Sequence, residues 1–151
     1  MSLLVETKRF SAAVETDGMA DLIGLYGEME KDGSAFGTSA ETSQELVGGS
    51  PWQFRERYIE NSPIFYLDRM ETPLLIIHGD RDVTFAPFLG DEIFVGLRRL
   101  GKTVNYAKYQ GEPHVASSRD NLIDMASRIL DWFERYVKGG GQRDASHPLT
   151  N

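Results

Sequence analysis

Cysteine is missing from this sequence altogether. Disulfides, thiolate metal sites and a cysteine nucleophile are excluded with it. Long apolar runs are missing too. The longest, such as Leu74 to Ile77, fall far short of the roughly 20 residues that a membrane-spanning helix needs, so no membrane contact is expected. Positive charge is scarce: 16 Lys and Arg stand against 23 Asp and Glu, for a net charge of −7. Nucleic-acid binding relies on clustered cations, and no nucleic-acid partner is expected. Arg98, Arg99 and Lys102 form one small basic group, which reads as a solvated helix end. The N-terminus, MSLLVETKRF, has neither a basic leader nor an apolar stretch of signal-peptide length. The expected compartment is therefore the cytoplasm. No repeat of solenoid or propeller length is visible.

What is present suits one globular domain. The chain has 151 residues, 40% hydrophobic and 26% charged. The domain is expected over residues 1–138, followed by a flexible, glycine-rich polar tail over 139–151 that includes His147. Phe10 to Val14 reads as a short strand, followed by a turn at Asp17-Gly18. Asp21 is placed to cap a helix over Leu22, Ile23, Leu25 and Tyr26. Residues 27–51 are rich in Gly, Ser, Thr and Glu and predict a surface excursion, with a helix around Ser43 to Val47. A helix opening at Pro51-Trp52, with Phe54, Tyr58 and Ile59 apolar, should stop at Ser62-Pro63. Ile64 to Leu67 makes a short bridge.

The run from Pro73 to His78 is continuously apolar and ends at Gly79. Such a run suits a strand covered by helices on both faces. Residues 88–100 follow as an amphipathic helix, with Phe88, Ile93, Phe94, Leu97 and Leu100 at helical spacing and Gly101 as its stop. Thr103 to Tyr109 reads as the next strand. The last helix runs from Asn121 to Val137, with Leu122, Met125, Ile129, Trp132, Phe133 and Tyr136 inward. Strand–helix–strand–helix order implies parallel strands with right-handed crossovers, in an α/β three-layer sandwich.

In such sheets, active sites lie beyond the carboxyl ends of the strands. Two of those ends are His78-Gly-Asp-Arg-Asp82 and Gly111-Glu-Pro-His114. Adjacent strands bring Asp82 and His114 to the same rim. There the carboxylate can accept from one imidazole N–H and fix the tautomer, leaving the other nitrogen to take a proton from a serine. Elsewhere, milder readings hold. His78 reads as a packed, hydrogen-bonded histidine, and Glu112 as a loop-positioning residue. Asp80 with Asp82 lacks a third ligand nearby, so no metal is expected. Trp132, Phe133 and Tyr136 read as core anchors.

The pieces TPLLIIHGDRD, GEPH and ILDWFERYVK, with RFSAAVETDGMADLIGLYG and YIENSPIFYLDRMETP before them, resemble the end of the catalytic domain of the prolyl-oligopeptidase family of serine peptidases. The resemblance runs from about Arg9 to Lys138 and implies an incomplete α/β-hydrolase fold with a parallel sheet. It implies that Asp82 is the catalytic acid and His114 the catalytic base. Thr84 falls where members place Asn or Arg to hold a substrate carbonyl, and threonine is shorter and uncharged. Phe85, Met19 and Leu22 fall at pocket-lining positions, with ordinary core packing an equal reading for the last two. The family's Gly-x-Ser-x-Gly-Gly elbow would precede Arg9. Within the chain, the serines of Gly33-Ser-Ala-Phe-Gly37 and Gly48-Gly-Ser-Pro-Trp52 are poor substitutes in pattern and place.

The expected parent activity is peptide-bond hydrolysis without a cofactor, and little activity is expected of this chain alone. The alternatives are a fragment of a peptidase, a non-catalytic binding relative, or one half of a split hydrolase. A raw strand edge near Phe10 to Val14 leads to the expectation of a homodimer, with coverage by residues 27–51 as the alternative.

Overall fold

The computed structural model describes residues 1–29, 32–43 and 45–138. The polar tail and His147 lie outside these residues. Three parallel strands, β1 (Ala13–Thr16), β2 (Leu74–Gly79) and β3 (Val104–Tyr109), form a sheet in the order β1-β2-β3. In register, Ala13 lies beside Leu74 and Leu74 beside Val104. All six residues of β2 are buried, because helices cover both of its faces. Leu74 and Ile76 point into a core shared with Leu67, Met70, Ile93 and Leu97. Leu75 and Ile77 point the other way, onto Tyr109, Met125 and Trp132. This is the three-layer sandwich that the uninterrupted apolar run implies.

One cover is α5 (Phe88–Arg99), the other α6 (Arg119–Phe133), which runs on into a π-helical turn over Glu134–Lys138. Gly101 ends α5 as expected. Its φ is +68°, its N–H bonds the Arg98 carbonyl, and the Lys102 N–H reaches back to Leu97, which is the Schellman pattern. The inward faces differ in detail from the periodicity. On α5, Leu89, Gly90, Ile93 and Leu97 are buried, whereas Phe88 and Leu100 are exposed. On α6, Met125 and Trp132 are buried and Leu122 and Phe133 are exposed. The sheet is narrow, so only the stripe directly over it is covered.

The N-terminal third departs further. A five-residue helix, α1 (Ser2–Glu6), buries Leu4 and Val5. The first strand sits at Ala13–Thr16 rather than Phe10–Val14, and Phe10 is exposed. Pairing with β2 sets that register: the Ala13 N–H bonds the Pro73 carbonyl, and the Asp17 N–H bonds that of Ile77. Helix α2 (Leu22–Tyr26) is capped by Asp21, whose carboxylate accepts from the Ile23 N–H at 2.8 Å. Within residues 27–51 the helix is α3 (Gly37–Thr42), and Ser43 closes it instead of opening one. This segment is not wholly a surface excursion. Ala40 and Val47 pack with Leu22, Leu25, Tyr58 and Leu89 in a third core cluster. Helix α4 (Arg55–Glu60) starts later than Pro51-Trp52 suggests, and Trp52 is exposed. The bridge to β2 is a 3-10 helix over Pro63–Arg69.

Candidate functional site

The carboxyl ends of β2 and β3 converge on one rim. β2 ends at Gly79, where a Cβ would lie 2.4 Å from the Glu112 carbonyl oxygen and 2.7 Å from that of Pro113. Glycine therefore lets the loop after β3 lie directly on the end of β2. Two backbone bonds fasten it: the Asp80 N–H to the Tyr109 carbonyl and the Arg81 N–H to that of Glu112. The exposed Asp80 side chain accepts from the Gly111 N–H at 2.6 Å. Glu112 is buried and accepts from the Ser117 and Ser118 N–H groups and from Asn121 Nδ2. These bonds, the Ser117 N–H foremost, hold its carboxyl below the usual range. Glu112 thus ties the loop to the start of α6, a positioning role.

The result is that His114 Nδ1 lies 2.9 Å from Oδ2 of Asp82, across 32 residues of sequence. The Asp82 side chain is fully buried, while 35% of the His114 side chain is exposed. Oδ1 of Asp82 accepts from the backbone N–H groups of Thr84 at 2.8 Å and Phe85 at 3.0 Å. An acceptor-only carboxylate facing Nδ1 makes that nitrogen the donor and leaves Nε2 as the basic position. Buried partners on one side and solvent on the other give an imidazole that is fixed at its root and accessible at its tip.

The Phe85 ring stands edge-on to His114, with centroids 5.5 Å apart, and Phe36 packs against Phe85 at 5.8 Å. Met19 lies in the same cluster, half-buried. Leu22 is buried as a core residue whose N–H bonds the Ser62 hydroxyl. Thr84 meets Asp82 through its backbone, and its side chain is exposed. Of the pocket residues expected from sequence, Phe85 borders the imidazole directly, and Met19 and Leu22 belong to the core cluster against which Phe85 packs. Phe36 was not among them. Its signal was a lone aromatic in a stretch of Gly, Ser and Thr. Asp17 was also missed: it follows β1 on the same rim and accepts the Gly79 N–H at 3.0 Å.

Asp17, His78 and Asp82 each offer a ligand atom within 4.8 Å of the others. One Asp17 oxygen accepts from Gly79, and both Asp82 oxygens accept, from Thr84 and Phe85 on one side and His114 on the other. The two serines weighed as nucleophiles are bonded locally: Ser34 Oγ donates to Asp32 at 2.7 Å, and Ser50 Oγ to Gln53 at 3.1 Å. Neither stands on a strand-to-helix turn. No helix among the described residues is long and apolar enough to cross a membrane.

Known proteins resemble this chain in sequence and in fold. The profile of the prolyl oligopeptidase family matches residues 1–140. An uncharacterized peptidase of Bacillus subtilis, YuxL, is 26% identical over 135 residues, covering 87% of this chain and 20% of the relative. Dipeptidyl-peptidase 5 of Porphyromonas endodontalis is 27% identical over 135 residues, covering 87% of this chain and 18% of the relative. The chain therefore spans about a fifth of the length of these curated relatives. Among solved structures, a puromycin-hydrolyzing peptidase of Mycobacterium tuberculosis superposes with a TM-score of 0.77 at 22% identity, covering 97% of this chain and 21% of that one. The Pyrococcus horikoshii acylaminoacyl peptidase superposes with a TM-score of 0.76, also at 22% identity, covering 92% and 22%. These two establish the fold, that of the α/β-hydrolase peptidases. With a family match over nearly the whole domain, the chain belongs to the prolyl oligopeptidase family.

Proposed function

We propose that Asp82 and His114 are the acid and base of a serine-peptidase centre whose nucleophile lies outside these 151 residues. The observation that carries this reading is the 2.9 Å contact between a wholly buried carboxylate and a partly exposed imidazole on the carboxyl rim of a parallel sheet. In the reaction, Nε2 of His114 takes the proton of a serine hydroxyl as Oγ bonds the scissile carbonyl carbon. The C–N bond then breaks, and His114 returns that proton to the leaving amine. Water completes the cycle by the same route, with its proton passing to His114 and then to the departing serine Oγ. Asp82 fixes the tautomer and stabilises the imidazolium throughout. No cofactor enters.

Peptide is the substrate class this reading assigns. The Phe85 ring beside His114, packed against the cluster that holds Met19 and Leu22, supplies an apolar wall for a side chain near the scissile bond. The exposed Thr84 side chain stands at the mouth of the same loop. The 151 residues by themselves are expected to be inactive as a C-terminal part of such a domain, and a serine from the rest of the domain, or from a second polypeptide in a split enzyme, would complete the centre. The partly exposed tip of His114 favours a catalytic over a purely binding role. We also propose that two copies pair through the N-terminal strand region. Among the described residues β1 pairs with β2 alone, and Leu3 and Phe10 near it are exposed. An open strand edge of this kind invites pairing.

A fluorophosphonate probe tests the catalytic reading. The purified chain should take up no label, because neither Ser34 nor Ser50 is activated by His114. Stoichiometric labelling that disappears in His114→Ala would overturn it, because the nucleophile would then lie within the chain.

A further inference from the structure

Behind the acid–histidine pair stands a second histidine. His78 is completely buried near the end of β2. Its Nε2 lies 3.0 Å from the Phe85 carbonyl oxygen. It also lies 3.3 Å from Oδ2 of Asp82, the oxygen that faces His114. A carbonyl oxygen only accepts, so the proton of His78 belongs on Nε2, bonded to the Phe85 carbonyl and beside the Asp82 carboxylate. The other nitrogen, Nδ1, is buried without a hydrogen-bond partner among the described residues. It faces α5 at Gly90, where a Cβ would come within 2.9 Å of both Nδ1 and the Tyr106 hydroxyl. The missing side chain at Gly90 is what admits the ring to this place.

We propose that His78 is a positioning residue that holds the carboxylate of Asp82 and the backbone of Phe85 in one fixed relation to His114. This rests on the dyad reading given above. Asp82 accepts three hydrogen bonds, and the His78 N–H edge stands 3.3 Å from its Oδ2 as a fourth polar neighbour. The Thr84 and Phe85 N–H groups take Oδ1. His114 takes Oδ2, with His78 beside it. Without His78, Oδ2 is held only by the more exposed and less constrained of the two imidazoles. The carboxylate can then turn about its Cβ–Cγ bond, and the His114 tautomer is no longer dictated. The Phe85 carbonyl loses its donor at the same time, which loosens the ring that flanks His114. A space-filling core residue would do none of this.

Histidine-selective nitrogen-15 NMR on the full chain separates the two roles. The chain has three histidines, so assignment by single substitution is direct. In the wild type, His78 should carry its proton on Nε2 and His114 on Nδ1. His78→Leu should lose the fixed Nδ1–H form of His114 and speed exchange of that proton. His78→Gln, which keeps a side-chain donor, should restore both. Thermal melting of each variant reports stability independently. A folded His78→Leu chain in which the His114 tautomer and exchange rate are unchanged would overturn the proposal, whatever its melting temperature. If the leucine variant does not fold, the wild type still decides: a proton on Nδ1 of His78 would overturn it. A wild-type His114 protonated on Nε2 alone would instead sink the dyad itself, so the two failures are distinct.

Discussion

The Cα of Gly79 faces the peptide after Glu112 so closely that a Cβ would stand 2.4 Å from the Glu112 carbonyl oxygen. Backbone cannot swing aside as a flexible side chain can. Gly79→Ala should therefore lift the loop that carries His114 and cost about 1–3 kcal/mol, the usual range for overpacking a tight site. Denaturant unfolding reads the stability, and the His114 ring resonances read the displacement. An unchanged unfolding midpoint with unmoved resonances would mean that this packing does not position the histidine.

The meeting of Asp82 and His114 was legible because both follow strands that end on one rim, and β2 announces itself. Its residues are apolar on both faces since both faces are covered, and Gly101 stops α5 by a rule local to the chain. Phe36 and the network around His78 were not legible as parts of the site. Phe36 reaches Phe85 only because α3 is pinned by Ala40 and Val47, a tertiary effect on a weak local helix. His78 looks like a packed histidine in sequence, and only the 3.3 Å approach to Asp82 distinguishes it. β1 was misplaced by three residues because apolar Phe10 looked buried, whereas partner register decides where an edge strand begins.

Glu15 should make stability depend on pH in an unusual direction. It sits on β1 in register with Ile76, and its two buried oxygens have only weak support from the Gly18 N–H. Burial pushes its carboxyl from 4.5 up to about 7. Between those values the folded chain holds the proton that the unfolded chain has lost. Stability contributed by Glu15 is thus greatest below 4.5, declines up to about 7 and is flat above. The loss amounts to at most about 3 kcal/mol. Glu15→Gln should remove that decline and melt higher than the wild type at pH 8. Parallel pH profiles for the two proteins would contradict the assignment.

Pairing of two copies should be visible by light scattering at micromolar concentration, as a mass twice the 17.0 kDa of the chain. Proline substitution at Val14, in the middle of the edge strand, should return the mass to that of one chain. A wild-type mass of one chain across the concentration range would reject the dimer.

The proposed dyad requires that Asp82 set the state of the His114 imidazole. The most direct measurement is the tautomer of His114 in the wild-type chain and in Asp82→Asn, read from its two ring nitrogens by nitrogen-15 NMR. The wild type should show a single Nδ1–H form, with a slowly exchanging, low-field proton, and Asp82→Asn should lose that form. A wild-type His114 that averages both tautomers, and is indifferent to the substitution, would contradict the dyad.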